Sequence, residues 1–590
     1  MIVPMKKITV FVQGKDAGNT VETLRGLGVV HVENVQPPAG DPVRVLKDDI
    51  TLVDSALSVL SEEKFIKAAG NIKREEAKDW KFTVSHIIDL NKRLDQLEEY
   101  SRILKNRIAE WEPWGDFDPD ALRRLAEKNI FMRLYFIPQK ELEKIGPEVM
   151  IKVIFTEGGL ARCLVVSREK LELPFRELAL PKLGLEKMRQ RLYEDARMAQ
   201  IIQDDLCKFM AFRENLTDIR KKLGQELEFN EALSGMGKEG AVTYLTGFVP
   251  VYSQAALRDK AKSEGWGILF SDPSPGDNVP TLLKNPALIN LMKPVFNLLG
   301  ILPGYHELDV SPLFLVFFSI FFGILIGDAG YGLSYLLFTA WFHRKRKASA
   351  INNGVFFLFY LLSGCAIVWG VLTGTFFGQS WLAQRGIMPL VPALNDPVFM
   401  QTFCFFLGAL HLSLGHSWRA LLKFPSVTFL ADIGWICVLW AAFFLARTLI
   451  LGLPLPDFVK TLAFAGIALV IFLSSPDKNP FKAILGGLGS ASFGLNFMST
   501  FTDVVSYVRL FAVGLAAVAI AETTNAMTAN LGTGPIAIMG GIVIALVGHL
   551  LNIVLGPISV LVHGVRLNVL EFSSHANITW SGLAYKPLKA

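Results

Sequence analysis

The sequence predicts a mixed architecture: cytosolic α/β lobes on a long antiparallel coiled coil, followed by an all-α polytopic membrane domain of about eight helices. Three observations predict it. Lys, Arg, Asp and Glu are dense over the first 285 or so residues, whereas long apolar runs recur from Pro312 onward. The 590-residue chain is 51% hydrophobic with a mean hydropathy of +0.37, too apolar for an ordinary soluble protein and too charged to be all membrane. Heptad-spaced apolar positions lie among strand-like runs in the charged half. The boundary falls in the Pro/Gly-rich segment between Asp272 and Pro312, giving an arm over 1–285 and a membrane domain over 286–590.

In the arm, KKITVFV alternates as a strand, NTVETLRGLG reads as a short helix and VVHVENV as a second strand, which makes a small α/β lobe. NIFMRLYFIP, VMIKVIF, ARCLVVS, AVTYLTGFVP and WGILF supply strands for at least one more. Between them run helical patterns over about 45–111 and 183–226. Ile87, Leu90, Leu94, Leu97, Ser101, Leu104, Ile108 and Trp111 keep a 3,4 spacing, and Phe209, Phe212, Leu216, Ile219 and Leu223 repeat it. Two such helices with a lobe inserted between them form an antiparallel stalk, the alternative being ordinary amphipathic helices of a globular domain. No GxxxxGK[ST] phosphate loop occurs, and the glycines of GGLGSASFG at 486–494 follow no strand, so nothing here is catalytic and no cofactor is expected.

The net charge of +5 is small for this length and gives no warrant for nucleic-acid binding. Cysteines at 163, 207, 365, 404 and 437 lack CxxC spacing and read as buried thiols, not as disulfides or a metal site. MIVPMKKITVFVQG offers no long apolar core with a cleavage site, so the arm is expected in the cytoplasm.

Membrane spans are expected over roughly 353–378, 398–418, 427–451, 457–474, 495–528 and 535–570, preceded by 312–342. As one helix that first stretch would be about 46 Å long against a hydrocarbon core of about 30 Å, and FGILIGDAGYG in its middle breaks it. A broken pair makes eight spans and puts HRKRK at 343–347, Arg419 with Lys423, and Lys478 with Lys482 in the cytoplasm with both termini, leaving mainly Arg385 and Lys460 outside.

From Ala491 to Phe572 there is no lysine, and the ionisable groups are Asp503, Arg509, Glu522, His549, His563, Arg566 and Glu571. A charge at bilayer depth costs on the order of 2.5–3.5 kcal/mol, so each faces a partner or water. His549, Asn552, Gly556, Ser559, His563 and Arg566 are spaced 3,4,3,4,3 and share one helix face for about 25 Å. That face either lines a water-filled path or glues a helix bundle. Arg509 has Ser506, Ala512, Ala516 and Ala517 near it, so another helix can come close, and unlike a lysine it stays charged when buried. Glu522 lies roughly 220° round the helix from Arg509 and does not pair with it along the helix.

GFVP at 247–250, PTLLKNP at 280–286, FFGILIGDAGYG at 321–332, SYVRLFAVGLA at 506–516 and HGVRLNVLEF at 563–572 together carry a resemblance to subunit I, or subunit a, of the bacterial and archaeal V/A-type rotary ATPases. The resemblance spans essentially the whole chain. It implies an arm of two α/β lobes joined by a coiled coil that tethers peripheral stalk subunits of E/G type. It also implies a multi-pass domain in the cell membrane whose last two helices lie against a proteolipid ring, within a complex that includes a central stalk and A/B catalytic subunits. Arg509 then takes the role of the essential arginine and Arg566 that of a second beside it. Ser506, Glu522, His549, Asn552, Ser559, His563 and Glu571 become candidates for lining the half-channels that carry H+ or Na+. Eukaryotic relatives have a histidine and a glutamate where this chain has Ala517 and Gly556, so details of an exit channel that depend on that glutamate do not transfer. A self-contained secondary transporter would need inverted repeats, which are not evident, and a membrane-anchored scaffold or sensor would leave the polar stripe unexplained.

Overall fold

The computed structural model describes residues 1–68, 74–144, 149–169, 173–345, 353–379, 389–474, 493–532 and 534–589. Arg385, Lys478, Lys482, the end of HRKRK and most of the 486–494 glycine run lie outside them. The chain divides into two compact units. One comprises Met1–Thr9, Val29–His31 and Gly247–Pro587; the other comprises Val10–Gly28 and Val32–Thr246 with the last residues of the chain.

The opening elements are β1 (Met5–Gln13), α1 (Ala17–Leu27) and β2 (His31–Glu33). Gly28 ends α1 in the left-handed conformation that a residue with a Cβ resists, and its N–H returns to the Leu24 carbonyl. Where one helix over about 45–111 is expected, there are three: α2 (Asp41–Leu60), α3 (Glu63–Ala68) and α4 (Trp80–Trp111). The polar run SEEK follows the close of α2, and Asp79 starts α4 afresh by accepting the Phe82 N–H. After α5 (Pro119–Glu127), strands β3 (Phe131–Pro138), β4 (Met150–Glu157), β5 (Leu160–Ser167) and β6 (Arg176–Leu178) form a sheet of order β4-β5-β3-β6. One face buries Tyr135, Ile137, Ala161, Cys163 and Val165. The pattern at 183–226 is likewise two helices, α6 (Leu185–Phe209) and α7 (Arg213–Ser234), interrupted by a short turn at Met210–Phe212.

Helices α4 and α6 pack antiparallel. Arg189 pairs with Glu112 near the outer end of α4, while Gln203 reaches Glu98 further back. The heptad positions Ile87, Leu94, Leu104 and Trp111 all face inward, Leu94 toward Ile202 and Leu206 and Trp111 toward Leu185 and Met188. Val53, Ala56 and Leu60 of α2 meet Leu216 and Leu223 of α7 in the same core. Strands β7 (Gly237–Glu239) and β8 (Val242–Pro250), then α8 (Gln254–Glu264) and β9 (Gly267–Ser271), complete a sheet of order β2-β8-β1-β9, with β7 on β8. All five cysteines are free thiols.

Past a two-residue strand β10 (Pro280–Thr281) and α9 (Lys293–Leu299), the chain becomes helical and apolar. Helices α10 (Ser311–Ile326) and α11 (Ala329–Lys345) are bent by 118° where FGILIGDAGYG predicts a break. Three more follow: α12 (Asn353–Thr373), α13 (Pro397–Lys423) and α14 (Phe429–Leu451), with a shorter α15 (Phe458–Leu473). Helices α16 (Phe493–Ser506) and α17 (Val508–Asn530) together contain a 35-residue apolar run, Asn496–Asn530. A 42-residue run begins with α18 (Pro535–Ser559) and ends with α19 (Phe572–Ala576), before a two-residue strand β11 (Leu583–Ala584). Among the described residues five helices are long and apolar enough to cross a membrane, six if the bent pair counts as one.

Asp328 holds the bend. Its buried carboxylate accepts the N–H of Gly330 at 2.7 Å and of Tyr331 at 3.1 Å, capping α11. It also accepts the N–H of Phe377 at 2.8 Å and of Gly378 at 3.0 Å, from the turn beyond α12. Four donors that hydrocarbon could not satisfy thus converge on one side chain. Gly514 lets α17 approach the end of α10, where an added Cβ would stand 2.7 Å from the Ile324 carbonyl. Asp328→Ala orphans these donors at about 1–3 kcal/mol each, so it should lower the thermal midpoint of the detergent-purified chain, and Asp328→Asn should lower it less. An unchanged midpoint for Asp328→Ala, read by tryptophan fluorescence, would show that the cradle does not hold the bend.

Candidate functional site

Arg509 is the second residue of α17, two positions after its N-cap Tyr507, which is fully buried and hydrogen-bonded with His411 Nδ1 at 2.8 Å. Its guanidinium Nη2 donates to Glu571 Oε1 at 3.0 Å, and Arg566 Nε stands 3.3 Å from the same oxygen. Glu571 is 5% exposed, Arg509 22% and Arg566 54%, so one buried carboxylate bridges two cations of increasing exposure. Glu571 Oε2 and His563 Nδ1 are buried without a hydrogen-bond partner. Glu522, pointing elsewhere as its helical angle predicts, is exposed. Ala512 and Ala516 are exposed too, so these two of the small residues near Arg509 face outward, whereas Ser506 and Ala517 are half-buried.

Arg566 is flanked by two π-helical segments, Val560–Gly564 and Leu567–Glu571. Each wide turn shifts the side-chain register by a residue, and such segments collect at functional sites. The 3,4 stripe therefore keeps one face through the α-helical part up to Ser559 and changes phase before Arg566. The composition of HGVRLNVLEF carries no signal for this. Within the stripe, Asn552 donates to the Ala517 carbonyl at 2.7 Å, and His549 contacts the Tyr331 hydroxyl at 2.8 Å and Asn525 Oδ1 at 3.1 Å. Asn525 also donates to the Phe377 carbonyl at 2.7 Å, which joins His549 to the turn gripped by Asp328. Ser506 and Ser559 are half-buried. The opposite side of α18 is apolar and exposed along its length, from Ile536 and Met539 through Val543, Leu546 and Leu550 to Val554.

Two further features lie in the same unit as Arg509. A cavity of about 350 Å³ is lined by Gly327, Thr375 and Asn395 and, from α17, by Leu510, Gly514 and Glu522. The second is a chain of titratable groups, of which the sequence reading names only Asp503. Asp503 Oδ2 on α16 is 3.1 Å from His575 Nε2, His575 Nδ1 is 2.9 Å from His416 Nε2 on α13, and His416 Nδ1 is 3.5 Å from Asp432 Oδ1 on α14. Lys423 Nζ at 2.6 Å and Arg419 Nε at 3.4 Å face Asp432. Arg419 also donates to the His575 carbonyl at 3.2 Å. His416 and Asp432 stand inside apolar spans, which by itself marks them as functional candidates.

These features define a multi-pass helical membrane protein with an α/β arm and a paired arginine site between its two closing helical runs. No family model matches the chain. It is 31% identical over 623 residues to the V-type ATP synthase subunit I of Borreliella burgdorferi, covering 100% of this chain and 99% of that one. It is also 31% identical over 640 residues to the V-type ATP synthase subunit I 1 of Treponema pallidum, with both covered in full. It is 25% identical over 419 residues to the A-type ATP synthase subunit I of Methanocaldococcus jannaschii, covering 64% of this chain and 59% of that one. The chain belongs to the V-type and A-type ATP synthase subunit I family.

Removing one member of a buried ion pair costs up to about 3–5 kcal/mol because the partner is left uncompensated. Glu571→Ala should therefore reduce the yield of folded, membrane-extracted chain more than Glu571→Gln, which can still accept from both arginines. Equal yields for both substitutions and the wild type would remove Glu571 as the bridge.

Proposed function

We propose that this chain is the membrane stator subunit of a V/A-type rotary ATPase, a subunit without nucleotide chemistry of its own that forms the ion half-channels against a proteolipid ring. The observation that carries the reading is Arg509 itself, a fixed cation within an apolar run, tied together with Arg566 to the buried carboxylate of Glu571. A ring carboxylate arriving from lipid is neutral, with its ion bound. Opposite a guanidinium its ionised form is favoured, so the ion leaves into one path and the bare carboxylate is reloaded from the other. Arg509 also stands as a positive barrier to a cation passing straight between the paths. Glu571 holds Arg509 in place when no ring carboxylate is opposite, and Arg566, more exposed, takes the neighbouring position. Ion flow thereby turns the ring, or ATP-driven rotation pumps the ion.

The exposed apolar side of α18 and the exposed alanines of α17 support ring contact, since a ring of lipid-soluble subunits needs an apolar, close-fitting surface. Ser506, His549, Asn552, Ser559 and His563 complete the lining, the upper part of the stripe acting mainly by holding α18 to α17 and α11. Counting the bent pair as two and adding α15 gives eight spans, with 286–590 in the membrane, 1–285 as the cytosolic arm, and both termini cytoplasmic. The antiparallel α4 and α6 form the coiled-coil arm that engages the peripheral stalks, while the rest of the complex supplies the central stalk and the catalytic subunits.

A lysine keeps the charge but can lose it on desolvation and presents a different shape. Arg509→Lys and Arg509→Ala should each leave the complex assembled while ATP-driven ion uptake in proteoliposomes falls to background. An assembled Arg509→Ala complex pumping at the original rate would sink the assignment. For topology, a cysteine at Ser426 should react with an impermeant maleimide only from the cytoplasmic side, and one at Ala393 only from outside. The reverse pattern would exclude eight spans with cytoplasmic termini.

A further inference from the structure

We propose that the cavity between β10, α9 and the start of α10 binds the headgroup phosphate of an anionic phospholipid, with Lys293 as its cation. The proposal is independent of the half-channel reading and concerns the boundary where the chain becomes apolar.

The cavity measures about 150 Å³, far more than the ~10–15 Å³ that one bridging water requires. Thr281 of β10, Lys293, Phe296 and Asn297 of α9, Leu302, and Ser311, the first residue of α10, form much of its wall. Lys293, Phe296 and Asn297 stand at i, i+3 and i+4 and so share one face of α9. Thr281 is 3% exposed, and its Oγ1 is buried without a hydrogen-bond partner. A buried hydroxyl left unpaired is costly, and an oxygen-rich ligand in the cavity relieves that cost.

The charges around the cavity select an anion. Among the described residues no carboxylate lines it, and Lys293 has no acidic partner. The acids between α9 and α10 are engaged elsewhere. Glu307 accepts the Gly304 N–H at 2.7 Å and the Thr579 N–H at 2.8 Å, and Asp309 accepts the Ser311 N–H at 3.1 Å. A lysine free of carboxylates, with a hydroxyl and an amide beside it, matches the several acceptor oxygens of a phosphate.

The apolar surroundings select what the phosphate is attached to. Phe296 is packed edge-on against Phe314 of α10 at 5.1 Å and tilted against Trp580 at 5.9 Å, which fixes that wall. Outside the cavity, Leu288 is 62% and Leu298 73% exposed, at the level where α10 begins the apolar unit. Acyl chains cover these side chains while the headgroup fills the cavity, whereas a free phosphate gains nothing from them. A basic pocket at the end of a membrane helix is the setting in which anionic headgroups are held.

The test uses the full chain in detergent, stripped of lipid, with the thermal midpoint read by tryptophan fluorescence as each probe is added. Dioleoyl phosphatidylglycerol should raise the midpoint, because a ligand that binds only the folded chain stabilises it. Dioleoyl phosphatidylcholine and inorganic phosphate at equal concentration should not. Lys293→Ala should weaken the apparent affinity for phosphatidylglycerol on the order of 10-fold, the loss of a hydrogen bond to a charged group. Lys284→Ala removes an exposed charge that does not line the cavity and should change that affinity by less than about twofold. Thr281→Val keeps the shape without the hydroxyl, so it should leave the lipid-free midpoint no lower while weakening phosphatidylglycerol binding. An equal shift with phosphatidylcholine or with inorganic phosphate overturns the lipid assignment. Equal losses in Lys293→Ala and Lys284→Ala, or none in Lys293→Ala, overturn the site. Should Lys293→Ala not fold, unchanged phosphatidylglycerol binding by Thr281→Val overturns the site in its place.

Discussion

A guanidinium inside an apolar helix bundle must be given a partner, and Glu571 is the partner on which the membrane unit is organised. Its Oε1 takes Arg509 from α17 and Arg566 from the last helical run, so the two closing runs are tied at the level where both carry charge. Arg566 sits between two π-helical segments, whose wide turns set its phase apart from that of the stripe before it. The regular helix on either side can then pack while this short region is devoted to placing charge. Removing the carboxylate leaves the Arg509 guanidinium without its partner, which is the costly case.

The same rule, applied to backbone groups, explains the entrance to the membrane unit. A bend of 118° in an apolar environment exposes N–H groups that lipid cannot satisfy. Asp328 collects four of them, two from the helix it starts and two from a turn nearly fifty residues on. Asn525 then grips that turn from α17, and His549 grips Asn525 from α18. The bend, the turn and both closing runs are therefore one polar scaffold inside an apolar core, with a cavity lined by Gly327, Thr375 and Gly514 next to the bend.

Much was legible in the sequence. Long apolar runs mark spans because a helix in hydrocarbon must satisfy its own backbone, and their observed limits fall within a few residues of the expected ones for α12, α13, α14 and α15. The break in FGILIGDAGYG was legible because Gly adopts the left-handed conformation and Asp caps the helix that follows. That Arg509 and Arg566 need a partner was legible because a permanent charge among Leu, Val and Ala is costly alone. The inward-facing seam of α4 was legible from its 3,4 spacing, while the interruptions among α2, α3 and α4 were not, since local polar runs and a new cap outweighed the periodicity.

Partnership and phase were decided only by tertiary structure. Glu571 is 62 residues from Arg509 in sequence, and His575 is 159 residues from His416; no spacing rule links positions on different helices. The polar stripe read as one continuous face because a 3.6-residue period was extended through a segment that is π-helical. Composition by itself determined which residues lipid would not tolerate alone. Which of them meet, and hence which become a bridge or a scaffold, depended on how the helices cross, because burial makes a charge choose its partner by proximity in space.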